Sequence, residues 1–294
     1  MDYPIVQIKT SDNLSLYGLF LHSLGDRVVF VNIHGTASNF YEEYYIEVFA
    51  KSFIKEGVSL LSTNNRGAGV YDAYEGSGAA TEKFEDCIID IDAWVEFVIE
   101  KGYECIVLSG HSLGTEKVVY YMNHGKYADR ISAIILLSPS DSFGSHRVLD
   151  GKDNTKIRRG IEKLLYESAE LVKNGRGDVF LPRNTYGSRL GIMPKTPESL
   201  INFLGSGSKL LEALPLETNR LEAYGRIKVP ILVVIGDQKE YTALPIKDAL
   251  ALMSKENKNT KTVQIENCDH DFQGCEDKLS GIIMKFILSI KSLP

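Results

Sequence analysis

The sequence places Ser112 between two glycines, in the stretch LSGHSLGT that runs from Leu108 to Thr115. A serine hydroxyl is a weak nucleophile until a neighbouring base takes its proton. The pattern of glycine, any residue, serine, any residue, glycine is informative where a strand turns sharply into a helix, because that turn exposes the side chain. An apolar run precedes Ser112 and a helical pattern follows it. We therefore interpret Ser112 as a nucleophile rather than an ordinary helix cap.

The best base for this nucleophile is His270, in the stretch ENCDHDFQG. His270 follows the last expected strand and precedes the last expected helix, so we expect it at the same edge of the sheet as Ser112. The chain has six histidines. One of them, His111, adjoins the nucleophile, but its side chain is expected to point elsewhere.

A histidine base needs a carboxylate that orients the ring and stabilises its charged form. The stretch VIGDQKEY lies between the nucleophile and the base in the chain and offers two. Asp237 directly follows Gly236 and is also suited to fixing a turn. Glu240 lies farther along the loop and has the longer reach. We favour Glu240, with Asp237 as the alternative and Asp141, in the stretch SPSD, as the third candidate.

Acyl transfer also requires hydrogen-bond donors for the developing oxyanion. The stretch VNIHGTASN supplies a strand end followed by Gly35, which permits a close backbone approach. We predict that the amides of Thr36 and Leu113 bind the oxyanion. Gly35, His111 and Asp141 are predicted to border the substrate.

The elements that must position these residues follow from hydrophobic patterning. Strand-like and helix-like segments alternate along most of the chain, which predicts a mostly parallel α/β sheet with helices on both faces. Turn residues separate the first two extended segments, which predicts a hairpin at one edge. We expect about eight strands and, among the helices, one over residues 40–55 and one over residues 81–101 that starts near Thr81.

Residues 142–228 interrupt the alternation and contain no convincing core strand. They begin after a strand's carboxyl end, where open α/β sheets bind ligands. We predict a mainly helical cap here, on a core formed by residues 1–141 and 229–294. Tyr166, Tyr186 and the run SLINFLG are candidates to line a pocket or to pack the cap onto the sheet.

Composition excludes several other classes of function. The chain has 294 residues, 44% of them hydrophobic, which is enough for a packed core. Its formal net charge is −6 and it has no long basic run, so we expect no binding to nucleic acid or to an anionic membrane. We expect no signal peptide, no transmembrane helix and a cytoplasmic location. The oligomeric state stays open.

Two tempting ligand motifs are weak. Cys268, His270 and Cys275 match no common zinc spacing, so we predict no metal. The glycine-rich stretch NNRGAGVYDAYEG lacks the lysine and hydroxyl of a phosphate loop and the dinucleotide spacing. We interpret it as a loop beside the site, and we expect no cofactor.

Taken together, these motifs resemble those of the α/β-hydrolases. The matching pieces are HGTA, NNRGAG, GHSLG, GDQKEY and CDHDF, which follow one another in family order over about residues 30–275. More narrowly, the stretch from NNRGAG to the second expected helix, with SGHSLGTEKVVYY and SPSD, is similar to the branch that includes siderophore esterases. The resemblance implies an α/β-hydrolase fold with a cap and hydrolysis of an ester.

The sequence departs from many members of that family at one position. They place an aspartate third after the glycine of the acid loop, and here the residue is Lys239. The acid is then shifted to Glu240 or supplied by Asp237 or Asp141. Our leading hypothesis is a serine-dependent hydrolase of a small acyl ester. The alternatives are a thioesterase or acyltransferase, and a non-catalytic ligand-binding homologue, which only the displaced acid supports.

Overall fold

The computed structural model describes residues 4–24, 27–153, 155–180 and 194–291. Tyr186 lies outside these residues. The chain begins with an antiparallel hairpin, whose turn is closed by the amide of Asn13 donating to Thr10 O at 2.9 Å. Asn13 has a φ of 77°, a left-handed conformation that asparagine tolerates. The two strands are β1 (Ile5–Lys9) and β2 (Ser15–Leu21).

Strands and helices then alternate, as the patterning predicts. The elements are β3 (Val28–Ile33), α1 (Ile46–Lys55), β4 (Val58–Thr63), α2 (Cys87–Glu100), β5 (Cys105–His111), α3 (Leu113–His124) and β6 (Ile131–Leu137). Every residue of β3 and β4 is buried, because helices cover both faces of the sheet.

Between β6 and the next sheet strand, the described residues form a small hairpin and several helices. They are β7 (Val148–Leu149), β8 (Lys152–Asp153), α4 (Thr155–Lys173), α5 (Pro197–Leu204) and α6 (Glu222–Gly225). The chain ends with β9 (Ile231–Ile235), α7 (Ile246–Glu256), β10 (Thr260–Gln264) and α8 (Glu276–Lys291).

The large sheet has eight strands in the order β1-β2-β4-β3-β5-β6-β9-β10. β1 and β2 run antiparallel to their neighbours, and the remaining pairs are parallel. The strand order runs outward from β3 in both directions, with β4 on one side and β5 on the other. Ligands bind in such sheets at this switch point, outside the carboxyl ends of the strands. The predicted fold class is confirmed.

Two apolar layers pack against the two faces of the sheet. On one face the layer includes Trp94, Val95, Leu108, Val118 and Ile134. On the other face it includes Phe30, Phe49, Phe53, Val107 and Ile283. A third apolar cluster lies beyond the sheet, where α4 and α5 meet the start of α3. Its members include Phe84, Leu113, Tyr120, Leu164 and Phe203.

Two helices begin later than the sequence predicts. Residues 40–45 form a turn because Asn39 Oδ1 accepts the amides of Tyr41 and Glu42, so α1 starts at Ile46. Thr81 does not start α2, since its hydroxyl donates to carbonyls of the preceding loop. A short 3-10 turn, Phe84–Asp86, leads into that helix.

The predicted division into a core and a cap at residues 142–228 stays a prediction. Within that range, Tyr166 lies on α4 with 71% of its surface exposed, so it does not pack onto the sheet. The run SLINFLG forms most of α5 and contributes Phe203 to the third apolar cluster. None of the described helices is long and apolar enough to cross a membrane.

A buried ion pair fastens the loop after β4 to α2. Arg66 donates to the Asp90 carboxylate through its amide at 2.7 Å and through its guanidinium at 2.8 Å. Asp90 is fully buried, and Asp12 and Asp86 also accept hydrogen bonds from the guanidinium. Removing Asp90 would leave the Arg66 amide and the buried side of its guanidinium without their acceptor, which is strongly destabilising.

We therefore expect Asp90→Ala to lower the free energy of unfolding by about 3 kcal/mol. The control is Glu104→Ala, which breaks an ion pair with Arg27. The side chains of Glu104 and Arg27 are 72% and 68% exposed. That change is expected to stay within about 0.5 kcal/mol, because exposed pairs contribute little. Urea unfolding of both variants measures the difference, and equal losses would contradict the assignment.

Candidate active site

Ser112 lies on a sharp turn between β5 and α3. Its φ of 52° and ψ of −123° form a strained conformation for a residue with a side chain. The turn is held by the Ser112 amide, which donates to Leu137 O at 3.0 Å, and by Thr115 Oγ1, which donates to Ser112 O at 2.7 Å. The geometry is that of a nucleophile elbow, which exposes the hydroxyl above the sheet.

Three glycines make this turn possible because backbone passes where their Cβ atoms would lie. A Cβ on Gly110 would be 2.2 Å from Gly114 O, and one on Gly114 would be 2.3 Å from Ile33 O. A Cβ on Gly35 would be 3.0 Å from the Ser112 Cβ. Gly110 is therefore required by its close packing against the first turn of α3, and Gly114 by its close packing against the end of β3.

His270 pairs with Glu240 at the same edge of the sheet. Its Nδ1 lies 2.7 Å from Glu240 Oε2, and both side chains are largely buried. Since a carboxylate only accepts, Nδ1 carries the hydrogen and Nε2 is the basic nitrogen. Glu240 Oε1 accepts hydrogen bonds from the Gly236 amide at 3.0 Å and from Ser138 Oγ at 3.1 Å. Both carboxylate oxygens are thus held in place.

Asp237 occupies a different position from Glu240. Its two oxygens accept the amides of Asn267 at 2.9 Å and Cys268 at 3.0 Å. These backbone hydrogen bonds lower the pKa of Asp237 below its usual value. The side chain connects the loop after β9 to the loop that carries His270. Asp237 therefore fixes a turn, the second role for which its place after Gly236 suits it.

Asp141 is buried away from the base. Its carboxylate accepts the amides of Gly144 at 2.6 Å and Glu217 at 2.8 Å. Burial raises the pKa of Asp141 to about 6. Asp141 is not among the described residues that line the cavity over Ser112. The structure therefore places it neither beside the substrate space nor against His270.

The segment after β3 borders Ser112 from the other side. Gly35, Thr36 and Leu113 all line the cavity. Leu113 is the first residue of α3, and amides in a helix's first turn have no acceptor within the helix. Their position fits donors that bind an oxyanion.

His34 fixes the backbone next to this segment. Its Nε2 accepts the Asn65 amide at 3.1 Å, so the hydrogen is on Nδ1, which donates to Gly35 O at 2.7 Å. Burial and the nearby Lys117 lower the pKa of His34 to about 4, so the ring is neutral at pH 7. The Gly35 peptide is thereby held with its carbonyl turned toward the buried ring.

A cavity of about 760 Å³ opens over Ser112 and His270. This volume is in the range of small-molecule sites. One side carries the apolar groups of Leu113, Phe203 and Leu204. The lining also includes the rings of Tyr44 and Tyr241 and a set of polar side chains, namely Ser38, Ser140, Ser142, Ser145, Lys195, Lys239, Asp269 and Asp271. None of the described residues of the glycine-rich loop lines the cavity, but the loop lies beside it, because the Gly69 amide donates to Ser38 O at 3.1 Å and the Asn65 amide donates to His34.

Sequence reasoning missed Glu43 and Lys195. Glu43 Oε2 lies 3.0 Å from Nδ1 of the buried His111, although no residue pattern marks it. Lys195 Nζ donates to Ala79 O at 2.7 Å and lies 3.6 Å from the centre of the Phe203 ring. Burial lowers the pKa of Lys195 to about 8. The contacts of these side chains join residues that are distant in the sequence, so only the folded structure shows them.

One group near the site has the composition of a metal site. Nitrogen and oxygen atoms of His111, His270 and Asp271 lie within 4.8 Å of one another. Both nitrogens of His111 already face other groups, however, since Nε2 is 2.8 Å from His270 O and Nδ1 faces Glu43. A metal would have to displace these contacts. Cys268 and Cys275 take no part in this group.

Comparison with solved structures identifies the fold. The chain is similar to the siderophore hydrolase EstB from Aspergillus fumigatus, with a TM-score of 0.70, 15% identity and 99% of each chain covered. It is similar to Est1E from Butyrivibrio proteoclasticus with bound ferulic acid, with a TM-score of 0.67, 19% identity, and 98% and 100% of the chains covered. For the α/β hydrolase GrgF from a Penicillium species the values are 0.66, 14%, 98% and 97%. The α/β-hydrolase fold is confirmed.

A family model described as "Protein of unknown function (DUF1749)" matches residues 22–286. The match spans the elements that carry Ser112, Glu240 and His270. No curated protein matches the chain significantly.

Two glycine-to-alanine substitutions, one in the elbow and one in α8, test the close packing of the elbow. Gly114→Ala is expected to lower the free energy of unfolding by about 1–3 kcal/mol, because its Cβ meets backbone that cannot move aside. Gly281→Ala is the control, since it lies in α8 with nothing within 4 Å of its Cβ position. It is expected to raise the free energy of unfolding by about 0.5–1 kcal/mol, because alanine favours the helix. Thermal unfolding of both variants tests this, and stabilisation by Gly114→Ala would contradict it.

Proposed function

The chain belongs to the DUF1749 family, and from that premise and the site we propose that it is a serine hydrolase that cleaves carboxylic esters. The observation that carries the proposal is the convergence of four features on one cavity. They are the strained Ser112 turn, the His270–Glu240 pair, the Gly35–Thr36 backbone and the first amide of α3.

The chemistry follows from these groups. His270 Nε2 takes the proton of Ser112 Oγ as the oxygen attacks the ester carbonyl. The amides of Thr36 and Leu113 stabilise the negative charge on the carbonyl oxygen. His270 then returns the proton to the departing alcohol, which leaves an acyl group on Ser112. Water, activated by the same ring, attacks the acyl group and releases the acid and the free serine.

Glu240 supports catalysis over simple ligand binding. The case for a non-catalytic homologue rested on Lys239 standing where many α/β-hydrolases carry the acid. Lys239 has a φ of 57°, and the next residue reaches Nδ1 of His270 at 2.7 Å. A glutamate one position later, with one more methylene than aspartate, thus supplies the carboxylate.

The cavity suggests the kind of substrate. We propose that residues 142–228 act as a cap, because Phe203 and Leu204 form one apolar side of the space over Ser112. One structural relative is named a siderophore hydrolase and another holds ferulic acid. Esters with an aromatic or apolar acyl group are therefore the first substrates to test.

Composition also narrows the partners that we propose. A net charge of −6 favours a small-molecule acyl substrate over nucleic acid or an anionic membrane. The four cysteines are free thiols, which fits a cytoplasmic location. The mechanism calls for no cofactor.

A fluorophosphonate probe is expected to label Ser112, because the probe reacts with an activated serine hydroxyl. Intact mass measurement and peptide mapping locate the label, and a series of p-nitrophenyl esters measures turnover. Ser112→Ala is expected to abolish both while the thermal unfolding transition is kept.

The matched control is Ser109→Ala, a buried serine on β5 that precedes the turn. This variant is expected to keep both labelling and turnover. Stabilisation by a ligand without labelling would favour the non-catalytic ligand-binding homologue instead. Faster release of p-nitrophenol when an alcohol or amine is added would favour an acyltransferase.

Glu240→Gln is expected to lower kcat by about 10³- to 10⁴-fold, as loss of the orienting carboxylate does in other serine hydrolases. In this variant one end of the glutamine amide faces His270 Nδ1, and the other end faces the Gly236 amide and the Ser138 hydroxyl. All three of these groups donate and glutamine has one accepting oxygen, so its NH₂ group would face a donor on one side. Steady-state kinetics with a p-nitrophenyl ester measure the loss.

The matched variant is Asp237→Asn in the same loop. It is expected to keep kcat within about threefold and to lower the free energy of unfolding by about 1 kcal/mol, because it weakens a turn rather than the base. The reverse ranking of the two variants would identify Asp237 as the acid.

A further inference from the structure

We propose that Glu43 and His111 form a positioning unit that holds the loop of His270 against the nucleophile elbow. This inference rests on the proposed ester hydrolysis and gives two residues at the cavity wall a role in positioning rather than in proton transfer. His111 directly precedes Ser112, and Glu43 follows the loop that carries Thr36. The unit therefore connects the segments of the nucleophile, the oxyanion donors and the base.

The contacts of His111 define the unit. Its Nε2 lies 2.8 Å from the backbone carbonyl oxygen of His270, and its Nδ1 lies 3.0 Å from Glu43 Oε2. A carbonyl oxygen only accepts, so Nε2 carries a hydrogen. The Nδ1 contact is an ion pair rather than a well-aligned hydrogen bond. A ring that faces an acceptor on each side is held best in its doubly protonated form.

Glu43 extends the unit toward the oxyanion segment. Its other oxygen, Oε1, accepts a hydrogen bond from Ser38 Oγ at 3.0 Å. Ser38 lies two residues after Thr36 and lines the same cavity. One carboxylate thus contacts both the oxyanion loop and the residue before the nucleophile.

The pair is nearly shielded from solvent, although both residues lie at the wall of the cavity. The side chains of His111 and Glu43 are each 4% exposed. The rings of Tyr45 and Phe272 lie 6.0 Å and 6.2 Å from the His111 ring, between centres. Screening is weak in such a place, so the two charges interact strongly.

The titration of the two groups agrees with these contacts. Burial alone would lower the pKa of His111, but Glu43, the His270 carbonyl and the Asp271 carboxylate outweigh it and raise the pKa to about 9. Burial opposes the charge of Glu43 too, yet His111, His34 and the Ser38 hydroxyl lower its pKa to about 2. Both partners are therefore charged from mildly acid pH up to about pH 9.

Loss of the pair would act on catalysis through position. Loss of the charge on either partner removes the attraction that holds the two segments together, and a carboxylate or imidazolium that stays charged is buried without a counter-charge, so the loops relax. A shift of about 1 Å in a catalytic group can cost about 10²-fold in rate. The effect falls on kcat because the His270 ring moves relative to Ser112, whereas the apolar side of the cavity is unchanged.

Glu43→Gln is the variant that tests the unit, and Glu47→Gln is its control. Glu47 lies four residues later on α1 and is 78% exposed. For Glu43→Gln we expect kcat for a p-nitrophenyl ester to fall by about 10- to 100-fold with KM within about threefold. For Glu47→Gln we expect both to stay at the wild-type values.

The pH dependence of kcat separates positioning from a general loss of stability. In the wild type, the charged form of His111 is present below about pH 9 and is lost above it, so kcat falls on that alkaline side. Without the Glu43 charge, burial lowers the pKa of His111, and the alkaline fall is expected to move down by more than about one pH unit. A purely structural defect would lower kcat without changing the pH at which this alkaline fall occurs.

Spectra of protein labelled with ¹⁵N-histidine measure the charge on His111 without any substrate. We expect a doubly protonated ring at pH 7.5 in the wild type and a neutral ring in Glu43→Gln. If Glu43→Gln does not fold, His111→Gln replaces it, since the amide keeps a donor toward the His270 carbonyl but carries no charge. The same loss of kcat is then expected, and coincidence of the wild-type NMR titration with its alkaline fall in kcat is a second check.

The outcomes distinguish the two proposals. The positioning unit would be overturned, with ester hydrolysis intact, if Glu43→Gln or His111→Gln kept the wild-type kcat and the wild-type alkaline fall. It would also be overturned if His111 were neutral in the wild type at pH 7.5. A wild type that neither turns over esters nor reacts with the fluorophosphonate probe would overturn the proposed function, whatever the charge on His111.

Discussion

The backbone at Ser112 is held in a left-handed conformation, with a φ of 52°, and the rest of the site depends on that one turn. A non-glycine residue adopts it only when the surroundings over-determine it. Here β3 and β6 supply the support through their last residues, Ile33 and Leu137. The turn aims a hydroxyl at the cavity and leaves the first amides of α3 beside it. Side chains at the flanking glycines would push these segments apart.

Buried charges organise the loops around this turn. Arg66 with Asp90 holds the loop after β4 against α2, and Glu43 with His111 connects the segment after β3 to the end of β5. A third pair, Lys117 with Glu82, lies nearly unexposed at 2.8 Å. Such pairs contribute little net stability over apolar packing, but breaking one is costly, so each specifies a single arrangement. This reliance on paired charges suits loops that are too polar to be fixed by a hydrophobic core.

The loop after β9 shows how a carboxylate at a shifted position can still contact His270. Lys239 occupies the position where many α/β-hydrolases carry the acid, and its left-handed backbone directs the next side chain toward the sheet edge. Glu240 reaches His270 while the Gly236 amide and the Ser138 hydroxyl hold its second oxygen. Asp237, three residues earlier, is used for the turn. The two carboxylates of this loop have separate tasks, set by which hydrogen-bond donors each one meets.

The sequence by itself determined the fold class, the order of the eight strands along the chain, and the choice of Ser112 and His270 as candidates. Those features depend on hydrophobic period and on glycines beside a serine, which are local. It left three carboxylates open for the acid, misplaced two helix starts and gave no sign of Glu43. Only the tertiary structure showed which carboxylate contacts His270, where the two helices begin and what Glu43 contacts, because Glu43 and His111 are 68 positions apart and Glu240 and His270 are 30 apart. A contact between distant residues depends on how the loops fold over the sheet edge, and residue patterns do not encode that geometry locally.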